Sequence, residues 1–223
     1  MAIFLALILN RRTPSHESDL SAPHRASSPA PVIVDSDGLV TQLPDVGHML
    51  DEHLPTGAAG LKMQADFFND RSDQLNYSWQ SFDTGGGRLL SVRIRRLTNT
   101  KEAKEAFSSK FRDLQNNHSK DKDDGGADTG SATTLSNAGD AAFSLPIAQR
   151  LTRSNSYGVQ KYNVHGAYSY CRFKNVVIEV FWEGSLSSDR TSSQGASKVD
   201  TFGYAQTSGD ARNIVVSVVS ALT

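Results

Sequence analysis

Two arginines and four aromatic residues give this chain its clearest chemical signal. Arg93 and Arg95 alternate with Leu90, Val92 and Ile94 in a run that reads as a strand, so both guanidiniums project from one outer face. Such a pair suits an anionic ligand, a lipid headgroup or an acidic protein partner. The alternative is a solvated sheet face whose charges pair with nearby carboxylates or discourage edge pairing. Tyr77, Trp79, Tyr168 and Tyr170 recur at period two in further strand-like runs. Aromatic rings with polar tips suit a ligand groove, although hydrophobic core is their more frequent use.

The other reactive residue types are spaced against catalysis and metal binding. Of the six histidines, His48 and His53 in the run His48-Met-Leu-Asp51-Glu52-His53 are the best metal candidates. On a helix, however, five residues separate the two imidazoles by about 140°, and no Glu follows the first His as a zincin requires. The run Asp121-Lys-Asp123-Asp124-Gly125-Gly126 suggests a calcium loop, yet Gly125 stands where an oxygen ligand is needed and Ala132 where a bidentate Glu belongs. A solvated acidic loop is the better description. Cys171, the one cysteine, falls on the inward face of its strand, where a thiol acts as a small hydrophobe with a raised pKa. One cysteine also excludes an intramolecular disulfide and any multi-cysteine zinc or iron–sulfur site. There is no Gly-x-Ser-x-Gly elbow and no Walker loop, and Gly85-Gly86-Gly87 reads as a hairpin turn. A formal charge of -1 argues against nucleic acid as a partner. The expectation is a protein without cofactor or metal, and not an enzyme.

The elements that position these residues follow from hydrophobic periodicity. Ala167 to Phe173 and Val176 to Trp182, around Lys174-Asn175, read as an antiparallel hairpin pairing Phe173 with Val176, Cys171 with Ile178, Ser169 with Val180 and Ala167 with Trp182. Leu75 to Phe82 and Arg88 to Leu97 read as a second hairpin, and Tyr157 to Val164 as a further strand. Asn99 and Glu102 can cap a helix whose Ala103, Ala106, Phe107, Phe111 and Leu114 form an apolar stripe. A shorter helix follows Pro44-Asp45. At the C-terminus Asp210 is read as the cap of a helix through Ala211, Ile214, Val215, Val218 and Leu222, although the valines would also suit a strand. Hairpins followed by helices, without βα alternation, predict an α+β domain: a mostly antiparallel sheet with helices packed on one face.

The apolar residues concentrate after about Asp45, which divides the chain into three parts. Residues 1–12 hold the run Met1 to Leu9 followed by Asn10-Arg11-Arg12. Nine apolar residues fall short of the ~20 needed to span a bilayer, so the segment reads either as the end of a membrane anchor before a basic stop or as a frayed terminus. Residues 13–44, rich in Pro and Ser, read as a flexible linker. Residues 45–223 form the single folded domain.

Five short stretches then suggest a family: Arg93-Ile-Arg-Arg-Leu97, Lys101-Glu-Ala-Lys-Glu-Ala-Phe107, Gly139-Asp140-Ala-Ala-Phe143, Arg172-Phe-Lys-Asn-Val-Val-Ile-Glu-Val180 and Ala211-Arg-Asn-Ile-Val215. Together they resemble actinobacterial secreted or lipoprotein-like domains related to the extracellular sensor domain of bacterial serine/threonine protein kinases. The resemblance covers about residues 45–223. The chain departs from it in lacking the disulfides of the kinase sensor and the anchoring cysteine of a lipoprotein. It implies a sensor-like domain on the extracytoplasmic face of the cell envelope, membrane-anchored through the N-terminal segment or secreted. Such a domain would bind a small-molecule, cell-envelope or protein ligand. The alternatives are a structural envelope protein without a small-molecule ligand, and a hydrolase-type enzyme with an unrecognised site.

Overall fold

A computed structural model describes residues 32–65, 73–83, 86–116, 128–155, 158–185 and 202–223. The segment 1–12, most of the linker and the acidic loop through residue 127 lie outside the described residues. In chain order the elements are β1 (Ile33–Val34), β2 (Val40–Gln42), α1 (Gly47–Glu52), a 3-10 turn (Thr56–Ala58), β3 (Met63–Ala65), β4 (Gln74–Asp83), β5 (Gly86–Arg96), α2 (Thr100–Asn116), β6 (Asp128–Thr129), β7 (Thr133–Thr134), β8 (Ala141–Asn155), β9 (Gly158–Phe173), β10 (Val176–Gly184) and α3 (Tyr204–Ala221). One antiparallel sheet runs β3-β4-β5-β10-β9-β8-β6 with β7 also on β8, while β1 and β2 form a separate ribbon.

The β9–β10 hairpin has the register its alternation predicts, including Phe173 opposite Val176, Cys171 opposite Ile178 and Ala167 opposite Trp182. Val176, Ile178, Val180 and Trp182 each retain 0% exposure, and with Trp79, Leu90, Val92 and Ile94 they form one core under α1 and α3. The intervening residues Val177 and Phe181 are also apolar, so the opposite face needs cover as well. Helix α2 supplies it, laying Ala103, Phe107 and Phe111 over Phe143, Leu145, Tyr168 and Tyr170. The α+β class and hairpin-built sheet are therefore as expected, but the helices divide between both faces. Asn99 caps α2 as predicted, its Oδ1 accepting the Glu102 N–H at 2.9 Å.

Three aromatic residues on the α1/α3 face point their polar atoms at carboxylates on surrounding segments. The Tyr77 hydroxyl donates to Asp45 at 2.8 Å, Trp79 Nε1 to Asp51 at 2.8 Å, and Trp182 Nε1 to Asp210 at 3.0 Å. The last bond corrects the role expected of Asp210. Helix α3 begins at Tyr204, so Asp210 lies inside the helix and holds it to the sheet instead of capping it.

Three boundaries also differ from expectation. The domain begins before residue 45, because Val40 and Leu43 are buried in the core. Asn175, at the hairpin turn, holds Val40 in place: its side chain accepts from the Val40 N–H and donates to the Val40 carbonyl, both at 2.9 Å. Gly86 and Gly87 belong to β5, opposite Asp83 and Phe82 of β4, while Gly85 lies outside the described residues. The strand expected at 157–164 is continuous with the first arm of the hairpin, giving a single β9 through Gly166. A Cβ at Gly166 would clash with the Trp182 carbonyl oxygen and lie 2.7 Å from the Glu183 Cα, backbone atoms that cannot move aside.

Gly166→Ala is expected to cost about 3 kcal/mol or more in urea unfolding. Gly209→Ala, on an exposed turn of α3 with open space around the new methyl, is expected to stabilise by about 0.5–1 kcal/mol in the same assay.

Candidate functional site

The cleft between α2 and the sheet is built by alternation on four strands and one helix face. Register places Arg93 opposite Asn76 of β4 and Glu179 of β10, and Arg95 opposite Gln74 and Val177. From α2 come Ala106, Ser109, Lys110 and Asp113, one stripe at helical spacing beside the apolar stripe. With Tyr170 of β9 these residues line a cleft of about 340 Å³.

At its base lies Glu179, whose side chain is 10% exposed. The Tyr168 hydroxyl donates to its Oε1 at 2.7 Å, Lys110 Nζ lies 3.1 Å from the same oxygen, and Arg93 Nη1 lies 3.1 Å from Oε2. Burial alone would raise the pKa of this carboxyl; the Tyr168 hydrogen bond, the Lys110 ammonium and the Arg93 guanidinium outweigh it and hold the group below the usual glutamate value. The Lys110 ammonium also lies over the Tyr168 ring, 5.2 Å from its centre. Arg93 is fixed further by a 3.0 Å bond from its Nε to Asn76 Oδ1, which Gln74 Nε2 shares at 3.3 Å. The Asn76 Nδ2 is buried without an acceptor among the described residues.

Arg95 differs from Arg93. No carboxylate of the described residues pairs with it; its neighbour is Tyr170. Burial and the Glu179 charge push the Tyr170 hydroxyl up to about 12, with Arg95 offsetting part of the rise. The cleft thus holds an ion network of Arg93, Lys110 and Glu179, together with a guanidinium left over.

The structure brings Arg93, Arg95 and Tyr170 together as lining residues, with Tyr168 directly beneath them. Tyr77 and Trp79 are not part of this site. Register sets them opposite Val92 and Leu90, so they enter the core on the far side of the sheet. Glu179 and Lys110 were missed at the sequence level, yet each left a trace. Glu179 is the lone charge in Val176 to Trp182, and the hairpin register sets it opposite Tyr170; an acid there has to be paired. Lys110 borders the apolar stripe of α2.

In chemical terms the cleft offers a guanidinium and a phenol as hydrogen-bond donors. Proton transfer favours groups that titrate near working pH, whereas Glu179 is held low and Tyr170 high. The Cys171 thiol lies in the core of the opposite face, pushed up to about 12 chiefly by burial. Among the described residues no group of three His, Cys, Asp or Glu is placed to hold a metal ion. His48 lies 3.4 Å from Glu52 on the exposed side of α1, and His53 bonds the Met49 carbonyl; the acidic run at 121–126 is outside the described residues.

Comparison with known proteins yields no match to any family model and no match to a curated protein. Among the described residues no helix is long and apolar enough to cross a membrane.

Because Glu179 is depressed in the folded state, its stabilisation is complete above the ordinary glutamate pKa of about 4.3 and is lost as pH falls through the lower folded value. Urea unfolding of wild type and Glu179→Gln is expected to differ by about 2–3 kcal/mol at pH 7. The gap should narrow steadily between pH 4 and the acid end of the series.

Proposed function

We propose that this chain is a non-enzymatic binding domain whose cleft beneath α2 receives the anionic group of a small molecule, a cell-envelope component or a protein partner. The observation that carries this reading is Arg95: a guanidinium in a concave site, beside the Tyr170 hydroxyl, with no carboxylate to neutralise it among the described residues. Arginine presents a planar fork of donors that matches carboxylate or phosphate oxygens two at a time. The neighbouring network adds two cations against one carboxylate, so the potential around Arg95 also favours an anion. A non-enzymatic role is supported by the tyrosine and glutamate pKa values, which are displaced away from neutrality.

A location outside the cytoplasmic membrane belongs to the same proposal. It rests on the apolar run Met1 to Leu9, the Pro- and Ser-rich stretch after it, and the resemblance to extracytoplasmic sensor-like domains read from the five short stretches quoted above. The apolar segment would serve as anchor or membrane contact.

Melting of the full chain can be followed with inorganic phosphate, citrate, anionic lipid vesicles, soluble cell-wall fragments and divalent metals in turn. A ligand at 100 times its Kd adds about 2.7 kcal/mol, which for a chain of this size is roughly 5–10 °C. An anionic member of the panel should produce that shift, and Arg95→Gln should remove it. Stabilisation unchanged by Arg95→Gln would place binding elsewhere, and no shift from any class would favour a structural role.

A further inference from the structure

Two charges lining the cleft have no ionic partner among the described residues: Arg95 on the sheet and Asp113 on α2. The remaining three, Arg93, Lys110 and Glu179, are tied to one another. Asp113 receives only a long 3.5 Å contact from the Ser109 hydroxyl within its own helix. Arg95 hydrogen-bonds the Tyr170 side chain. Because α2 lies across the sheet, this carboxylate and this guanidinium belong to opposite walls of the same cleft. Val177 and Ala106 add apolar surface to its lining.

Resting on the anion-binding reading above, we propose that the ligand is a zwitterion, a free amino acid or a short peptide with open ends, whose carboxylate meets Arg95 and whose ammonium meets Asp113. A cleft of about 340 Å³ falls in the size range of small-molecule sites. A simple anion entering it would bring like charge towards Asp113, and a simple cation would meet Arg95; a ligand carrying both charges in the right order avoids either repulsion. Asp113 is exposed, so its part is selection between ligands more than gross affinity.

Melting and titration calorimetry of the full chain test this with the common α-amino acids and a set of dipeptides, each beside its N-acetylated and C-amidated form. At least one free zwitterion should bind and raise the melting temperature; the C-amidated form should lose most of the effect, and the N-acetylated form should bind about threefold to fivefold more weakly. Asp113→Asn should weaken the free form about threefold to fivefold, matching an exposed ion pair, and the variant should bind the N-acetylated form as well as wild type or better, because a like charge is removed. Arg95→Gln should weaken both. Equal binding of free and N-acetylated forms would overturn the zwitterion and leave an anion site. Stabilisation by inorganic phosphate or citrate with no response to any amino acid or peptide would do the same. No response to any anion or zwitterion would overturn both readings.

Discussion

One buried carboxylate governs the α2 side of this protein. Glu179 enters the sheet in the middle of β10, in a setting where an unpaired charge would cost several kcal/mol. Three elements stabilise it: a phenol from β9 donates a hydrogen bond, while an ammonium from α2 and a guanidinium from β5 supply the opposing charge. Turning Lys110 towards Glu179 fixes the rotation of α2 about its axis. Phe107 and Phe111 then face the aromatic cluster, with ring centres 5.4 and 5.0 Å from that of Phe143, and Ser109 and Asp113 come to the cleft. The network consumes Arg93 and, among the described residues, leaves Arg95 without a carboxylate partner. That placement of Arg95 is thus a consequence of how the helix is held.

The opposite face is held by different means. It is apolar throughout β10, and its large aromatic residues send their only polar atoms to Asp45, Asp51 and Asp210. Those bonds satisfy donors that burial would otherwise leave unpaired, and they tie α1 and α3 to the sheet. The two faces therefore divide their roles: one is a closed core with its polar atoms directed to its edge, the other keeps an ion network and an opening.

How much of this was legible in the sequence depended on range. The β9–β10 register could be read directly, because a two-residue turn leaves one pairing that keeps Cys171, Ile178, Val180 and Trp182 on the same face. The cap at Asn99 and the apolar stripe of α2 are equally local. The division of helices between faces was not legible, since both faces of β10 are apolar and periodicity does not say which helix covers which. Grouping Tyr77 and Trp79 with Arg93 and Arg95 failed for a related reason. Each pair alternates correctly on its own strand, but the β4–β5 register puts the pairs on opposite faces. Val40 was placed in a linker because its burial depends on Asn175, far away in the chain. Asp210 resembled a cap because a carboxylate before an apolar run is a local signal, whereas its bond to Trp182 is a tertiary one.

The most direct measurement is a ¹H–¹⁵N NMR titration of the arginine side chains in the full-length protein, with inorganic phosphate in one series and a free α-amino acid in the other. If Arg95 is the unneutralised cation of the cleft, its Nε–H signal shifts saturably in at least one series, and the Arg93 signal, already engaged with Asn76 and Glu179, moves less. An Arg95 signal that stays in place while other arginines respond would contradict the binding role assigned to the cleft.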